Sequence, residues 1–223
     1  MGIWILLLIL ILVPGVIAQV AVSSALSKYS RVPARAGVTG AQAAAQIMAD
    51  AGIHDVQIER INSYLGDHYD PRTKTLALSP AVYDGDSVAA LGIAAHETGH
   101  AIQHQHAYAP LQARMAVVPS TMFVSQLLPL IMIGGFWFRI PMFITLGIIV
   151  YAIIVLFQLV TLPVELDASA RAKRILQQNG LIARDEMQGV NRVLNAAALT
   201  YVAALIAAIA QLLQLVMLDR ERR

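Results

Sequence analysis

Four stretches of this chain are each about as long and as apolar as a bilayer demands, and they restrict its fold more than anything else in the sequence. Crossing a hydrocarbon core takes about 20 predominantly apolar residues, and a helix is the single segment that satisfies its own backbone there. The stretches run from Ile3 to Val22, Val117 to Phe138, Ile140 to Leu162 and Ala196 to Leu218. Pro14-Gly15 interrupts the first, which a membrane helix tolerates. That stretch lacks a positive leading region and is longer than the usual apolar run of a signal peptide, so it reads as a retained anchor. Arg139 is the one charge between the second and third stretches, which makes them a tight helical hairpin. The fourth either crosses the membrane or is re-entrant. Charged residues make up 13% of the 223, against about 25% in a soluble domain, so the chain reads as a multi-pass protein of the cell (inner) membrane.

Charge along the chain predicts orientation. Segments 23–116 and 163–195 carry twelve Lys and Arg residues, whereas Arg139, Arg220, Arg222 and Arg223 lie on the other side if all four stretches cross. The positive-inside rule makes the twelve-residue side cytoplasmic. A net charge of +2 is too small to suggest a nucleic-acid partner. With no cysteine, any metal site must be built from histidine and carboxylate.

Between the first two stretches lies His96-Glu97-Thr98-Gly99-His100, which reads H-E-x-x-H. Ser87 to His104 contains no proline, and Asp86 or Ser87 can cap it, so a helix is expected over about 87–107. Two histidines four apart on a helix differ by about 40° in direction and leave the same face. They can supply two corners of a tetrahedral Zn²⁺. Glu97 then points towards the metal's open side, where it can take a proton from the water the metal activates. The same five residues on an ordinary helix would be solvated or hydrogen-bonded histidines, but the apolar setting argues for the metal.

A catalytic zinc needs a third protein ligand and an open position. The choice is Glu165, in Leu162-Pro163-Val164-Glu165-Leu166-Asp167, because a carboxylate at a membrane boundary is costly unless paired or ligating. The membrane hairpin would return this segment alongside the motif helix. Asp167 is the runner-up; otherwise it pairs with Arg171 or accepts a hydrogen bond from a ligand imidazole. Arg171 and Tyr201 are candidates for stabilising an oxyanion, although an interfacial role suits Tyr201. His104, one turn beyond the motif, either meets substrate or faces water. His54, His68 and His106 read as surface residues.

The remaining pattern suggests a small α+β segment. Thr39 can cap a helix over Gly40–Ala51 that Gly52 ends. Val56 to Ile61 alternates as a half-buried strand, residues 65–80 read as a turn-rich loop or hairpin, and Thr75 to Ser79 reads as a further strand. Leu76, Ala77, Leu78 and Ser79 are the candidate edge for pairing with an extended peptide, or else simply close a small sheet. Pro163 favours a fresh helix start, with helix from Glu165 to Gln178 ended by Asn179-Gly180. Residues 183–195 read as a further amphipathic helix leading into the fourth stretch. The expected organisation is an anchor over 1–22, an α+β catalytic segment over 23–116, a membrane hairpin over 117–162, a ligand-bearing helical segment over 163–195, and an apolar helix and tail over 196–223.

Taken together, Asp67-His68-Tyr69-Asp70-Pro71, Leu78-Ser79-Pro80, Ala95 to Gln103 and Pro163 to Ser169 resemble the bacterial membrane zinc metallopeptidases of the YugP type. The resemblance covers nearly the whole chain. It implies a mainly α, multi-pass, gluzincin-like endopeptidase with one Zn²⁺ per chain, distantly similar to HtpX and the CAAX prenyl proteases. It implies peptide or membrane-protein substrates, and a glutamate on a second helix as third ligand, which favours Glu165. In those relatives an aspartate follows that glutamate by four residues; here position 169 is a serine. Two other readings differ in chemistry. A site-2-type intramembrane protease would take an aspartate ligand from a later segment, and a membrane scaffold would hold a structural metal or none.

Overall fold

The computed structural model describes residues 2–63, 66–134 and 141–222. Arg139, expected between the second and third apolar stretches, lies outside the described residues. In chain order the elements are α1 (Gly2–Tyr29), α2 (Gly40–Asp50), β1 (Gln57–Arg60), β2 (His68–Asp70), β3 (Thr75–Leu78), α3 (Pro80–Tyr83), α4 (Val88–Gln105), α5 (Ala109–Met132), α6 (Pro141–Gln178) and α7 (Met187–Arg222). Among the described residues the fold is mainly helical, with one three-stranded sheet. Helices α1, α5, α6 and α7 are each long and apolar enough to cross a membrane.

Two compact units share the chain. One comprises Met1–Gln19, Pro110–Pro163 and Leu199–Arg223; the other comprises Val20–Ala109 and Val164–Ala198. The first is built from the membrane-crossing parts of the long helices. Its apolar side chains are extensively exposed, as lipid-facing side chains are: Ile9, Val16, Phe123, Leu156 and Leu213 all lie on its surface. The second unit has a closed core in which Ile47, Leu76, Leu78, Leu91, Val190 and Leu176 are fully enclosed. Burying a side chain of this kind contributes about 1.5–3 kcal/mol, which gives this unit a core of the type that soluble domains have.

Local chemistry accounts for the ends of its elements. Thr39 caps α2 through a reciprocal capping box with Gln42. Ser87 caps α4 by accepting from the Ala90 amide at 3.1 Å, and Pro33 bridges to Ser87 from the segment after α1. Helix α6 ends at Gln178, and Gly180 supplies the left-handed residue (φ 66°) that closes it. The Arg35 guanidinium grips the Asp185 carboxylate with both terminal nitrogens, and its amide donates to Glu186, tying the segment after α1 to the approach to α7.

Three expectations from the sequence are corrected. Leu76, Ala77 and Leu78 do not form an edge. Strand β3 is the centre of the order β1-β3-β2, parallel to β1 and antiparallel to β2, so both its hydrogen-bonding sides are occupied. Ser79, just past it, starts α3, with its amide donating to Asp67 at 2.7 Å and its hydroxyl at 3.1 Å. Among the described residues the sheet edges are β1 and β2. Second, Pro163 does not start a new helix: α6 runs unbroken through it. Proline removes one backbone donor, and an apolar helix supported by neighbours tolerates that loss. Third, the helix expected over 183–195 begins only at Met187; from there it leads into the fourth apolar stretch as expected, as the single helix α7.

Candidate metal centre

The centre is built from one turn of α4 and one turn of α6. Helix α4 is buried over most of its surface, and its small residues Ala89, Ala90, Ala94, Ala95 and Gly99 let neighbours approach closely. The closest approach is at Gly99, where an added Cβ would lie 2.9 Å from the carbonyl oxygen of Ala168. No side chain other than hydrogen fits between the helices there.

This contact brings Glu165, 2% exposed, against the two histidines. Its Oε2 lies 3.2 Å from Nε2 of His96 and 3.6 Å from Nε2 of His100. The imidazoles meet edge to face, centroids 4.9 Å apart at 83°. Among the described residues this is a cluster of three metal-ligating groups with donor atoms all within 4.8 Å of one another. Ligand atoms at 2.0–2.1 Å from a tetrahedral zinc stand about 3.3–3.4 Å apart, so the two separations from Glu165 suit a single ion. The donor set, two imidazoles and one carboxylate, is one that zinc favours.

The far side of each ring is also engaged. Nδ1 of His96 is 3.1 Å from the Ser169 hydroxyl, and Nδ1 of His100 is 3.0 Å from Oε1 of Gln103. Both Nε2 atoms are thereby left to face Glu165. Hydrogen-bonded outer partners of this kind orient ligand imidazoles.

Glu97, beside His96, is half-buried. Burial lifts its carboxyl above the ordinary 4.5; His96 and His100 oppose the rise, while Glu165 and Asp67 add to it. For His100, burial works against the proton, but the Glu165 hydrogen bond and the charges of Glu97 and Glu165 outweigh it and raise the imidazole above 6.5. Proton and metal therefore compete for the same nitrogen.

The other candidates fall into distinct places. Asp167 does not touch a ligand imidazole; it accepts from Gln103 Nε2 at 2.8 Å and from Arg171 Nε at 2.5 Å. Arg171 is committed to that pair, with its guanidinium over the Tyr108 ring at 5.8 Å. His104 is half-buried rather than free in water, its Nδ1 2.8 Å from the Tyr69 hydroxyl on β2. Burial pushes that hydroxyl up to about 12, so it remains a neutral hydrogen-bonding group. Tyr201 lies on the part of α7 that belongs to the membrane-helix unit. His54, His68 and His106 are exposed. Gly99 and Gln103 were given no role from the sequence, and Ser169 was noted only as standing where the relatives carry an aspartate. Spacing carried a signal for two of them: Gln103 is three residues past His100, and Ser169 four past Glu165, each one turn along the same face.

Comparison with known proteins agrees with this geometry. A family described as "Putative neutral zinc metallopeptidase" matches residues 4–220. The chain belongs to this zinc metallopeptidase family. It is also 46% identical over 201 residues to the "Putative membrane protease YugP" of Bacillus subtilis (strain 168), covering 90% of this chain and 89% of that protein. No solved structure matches it significantly. The family match, the His96–His100–Glu165 cluster and four helices able to cross a membrane together make this a multi-pass, zinc-dependent membrane protease of that family.

Proposed function

We propose that this metallopeptidase is an endopeptidase that hydrolyses peptide bonds in membrane or membrane-proximal proteins, with His96, His100 and Glu165 as the ligands of one Zn²⁺ and Glu97 as general base. The observation that carries the reading is the convergence of two Nε2 atoms on one carboxylate oxygen, 3.2 and 3.6 Å away, with a carboxylic acid one residue from the first ligand. Bound there, zinc would polarise the scissile carbonyl and acidify the attacking water. Glu97 takes the proton as the water oxygen bonds to the carbonyl carbon. It returns that proton to the amine as the C–N bond breaks. Its burial suits the second step, because a carboxyl held above its usual range is better able to keep the proton until the amine leaves. Excess Lys and Arg in segments 23–116 and 163–195 supports a cytoplasmic site.

A scaffold with a structural ion fits less well, since closed structural zinc sites take four protein ligands and this cluster, among the described residues, has three. A site-2-type assignment fits less well because Asp167 is bonded to Gln103 and Arg171.

The deciding experiment is Glu97→Gln in the purified full-length chain. Elemental analysis should find zinc retained, while casein digestion, abolished by a chelator in the wild type, falls about 10²–10⁴-fold. A zinc-loaded variant cleaving at the wild-type rate would remove Glu97 from the reaction.

A further inference from the structure

We propose that Gln103 is a positioning residue that holds His100 in the tautomer able to ligate a metal, and that Asp167 and Arg171 hold Gln103 in turn. This rests on the metal reading above. Gln103 is fully buried one turn beyond His100 on α4. Its Nε2 donates to two groups, the Val164 carbonyl at 2.8 Å and the Asp167 carboxylate at 2.8 Å. An amide nitrogen has two hydrogens, so both are used, and on groups that only accept. Turning the amide over would set its oxygen against both acceptors. The oxygen is therefore locked towards His100, 3.0 Å from Nδ1, and only an Nδ1–H can meet it. A neutral imidazole protonated on Nδ1 carries its lone pair on Nε2, the atom facing Glu165.

The same amide acts on the third ligand. Val164, whose carbonyl it holds, directly precedes Glu165 on α6. One buried side chain thus orients ligands on two helices. The lock depends on Asp167 remaining an acceptor, and Arg171 Nε at 2.5 Å keeps it an ionised one. Ligand imidazoles commonly donate straight to a carboxylate or carbonyl; here a neutral amide stands between the imidazole and the carboxylate.

The test uses the full chain purified in detergent. Zinc affinity is measured by competition with a chromophoric chelator. The tautomer of His100 is read from its imidazole ¹⁵N resonances in metal-free protein at alkaline pH, assigned with His100→Ala. Wild type should show Nδ1–H. Gln103→Met keeps the side-chain length but removes donors and acceptor; affinity should fall about tenfold to a hundredfold and the tautomer preference should vanish. Asp167→Leu leaves Gln103 in place but removes one of the two acceptors that hold its amide, so it should weaken zinc in the same direction and populate the Nε2–H form. If Gln103→Met fails to fold, Asp167→Leu decides alone. Wild-type affinity with an unchanged Nδ1–H signal in the folded variants would overturn the positioning role and leave the zinc site standing. A wild-type chain that binds no zinc would overturn the metal reading itself.

Discussion

Replacing Gly99 by alanine separates what α4 prefers by itself from what its packing requires. Inside an isolated helix, alanine is about 1 kcal/mol better than glycine. In this structure the new Cβ would meet the Ala168 carbonyl oxygen at 2.9 Å, its Cα at 3.3 Å and its carbonyl carbon at 3.4 Å. These are backbone atoms, with no rotamer to escape into. Reaching an ordinary 3.4 Å contact from 2.9 Å requires α6 to retreat by about 0.5 Å at that point. Ala168 is three residues from Glu165 on the same helix, so the retreat carries the ligand with it. Metal–ligand distances tolerate about 0.2 Å. Overpacking of this kind costs about 1–3 kcal/mol, and if it falls on the metal site, zinc affinity drops about fivefold to a hundredfold. Gly92→Ala on the same helix is the control, because its Cβ would meet Val190 at an ordinary 3.6 Å. Chelator competition and thermal melting in detergent should show Gly92→Ala at or above wild type and Gly99→Ala well below it. Equal zinc affinity and melting for the two variants would refute the argument that close backbone contact at Gly99 sets the ligand geometry.

Glu165→Gln keeps the side-chain shape but removes the anionic ligand, so zinc content of the purified protein should fall sharply; full occupancy would move the third ligand elsewhere. pH should act on the metal-free protein in one direction. Glu97 has a folded value above 4.5, so its ionisation disfavours the fold and stability falls as pH rises past 4.5. His100 has a folded value above 6.5, so its contribution is complete below 6.5 and is lost as pH rises through the raised value. Thermal melting of chelated protein should therefore decline from mildly acid to alkaline pH, while added zinc stabilises increasingly over the same interval as it replaces the proton. A metal-free melting temperature that rises across that interval would contradict both assignments. Glu97→Gln should flatten the lower part of this decline and shrink the upper part, because the Glu97 charge is one of those that raise His100.

Much of the architecture follows from short-range patterns. Long apolar runs can satisfy their backbones in lipid as helices, and four helices long and apolar enough to do so are present among the described residues. Thr39 and Ser87 cap the helices they precede because a side-chain oxygen beside free amides needs no distant partner. Elements whose status depends on neighbours were less legible. The run Thr75–Leu78 after a turn-rich loop says that a strand forms, but edge and centre look alike until β1 and β2 take their sides. Pro163 carries a helix-start signal in its local chemistry, yet α6 runs on through it, because a helix can lose one backbone donor and continue.

For the metal centre, the sequence by itself determined that His96 and His100 leave one face of a helix with an acid beside them, since a 3.6-residue turn leaves no other outcome. That Glu165 lies 3.2 Å from His96, that Gln103 and not Asp167 meets His100, and that Gly99 must be without a side chain were decided by tertiary structure alone. These facts concern residues as many as 69 positions apart, and their spacing is set by how closely two backbones approach, which no local propensity encodes.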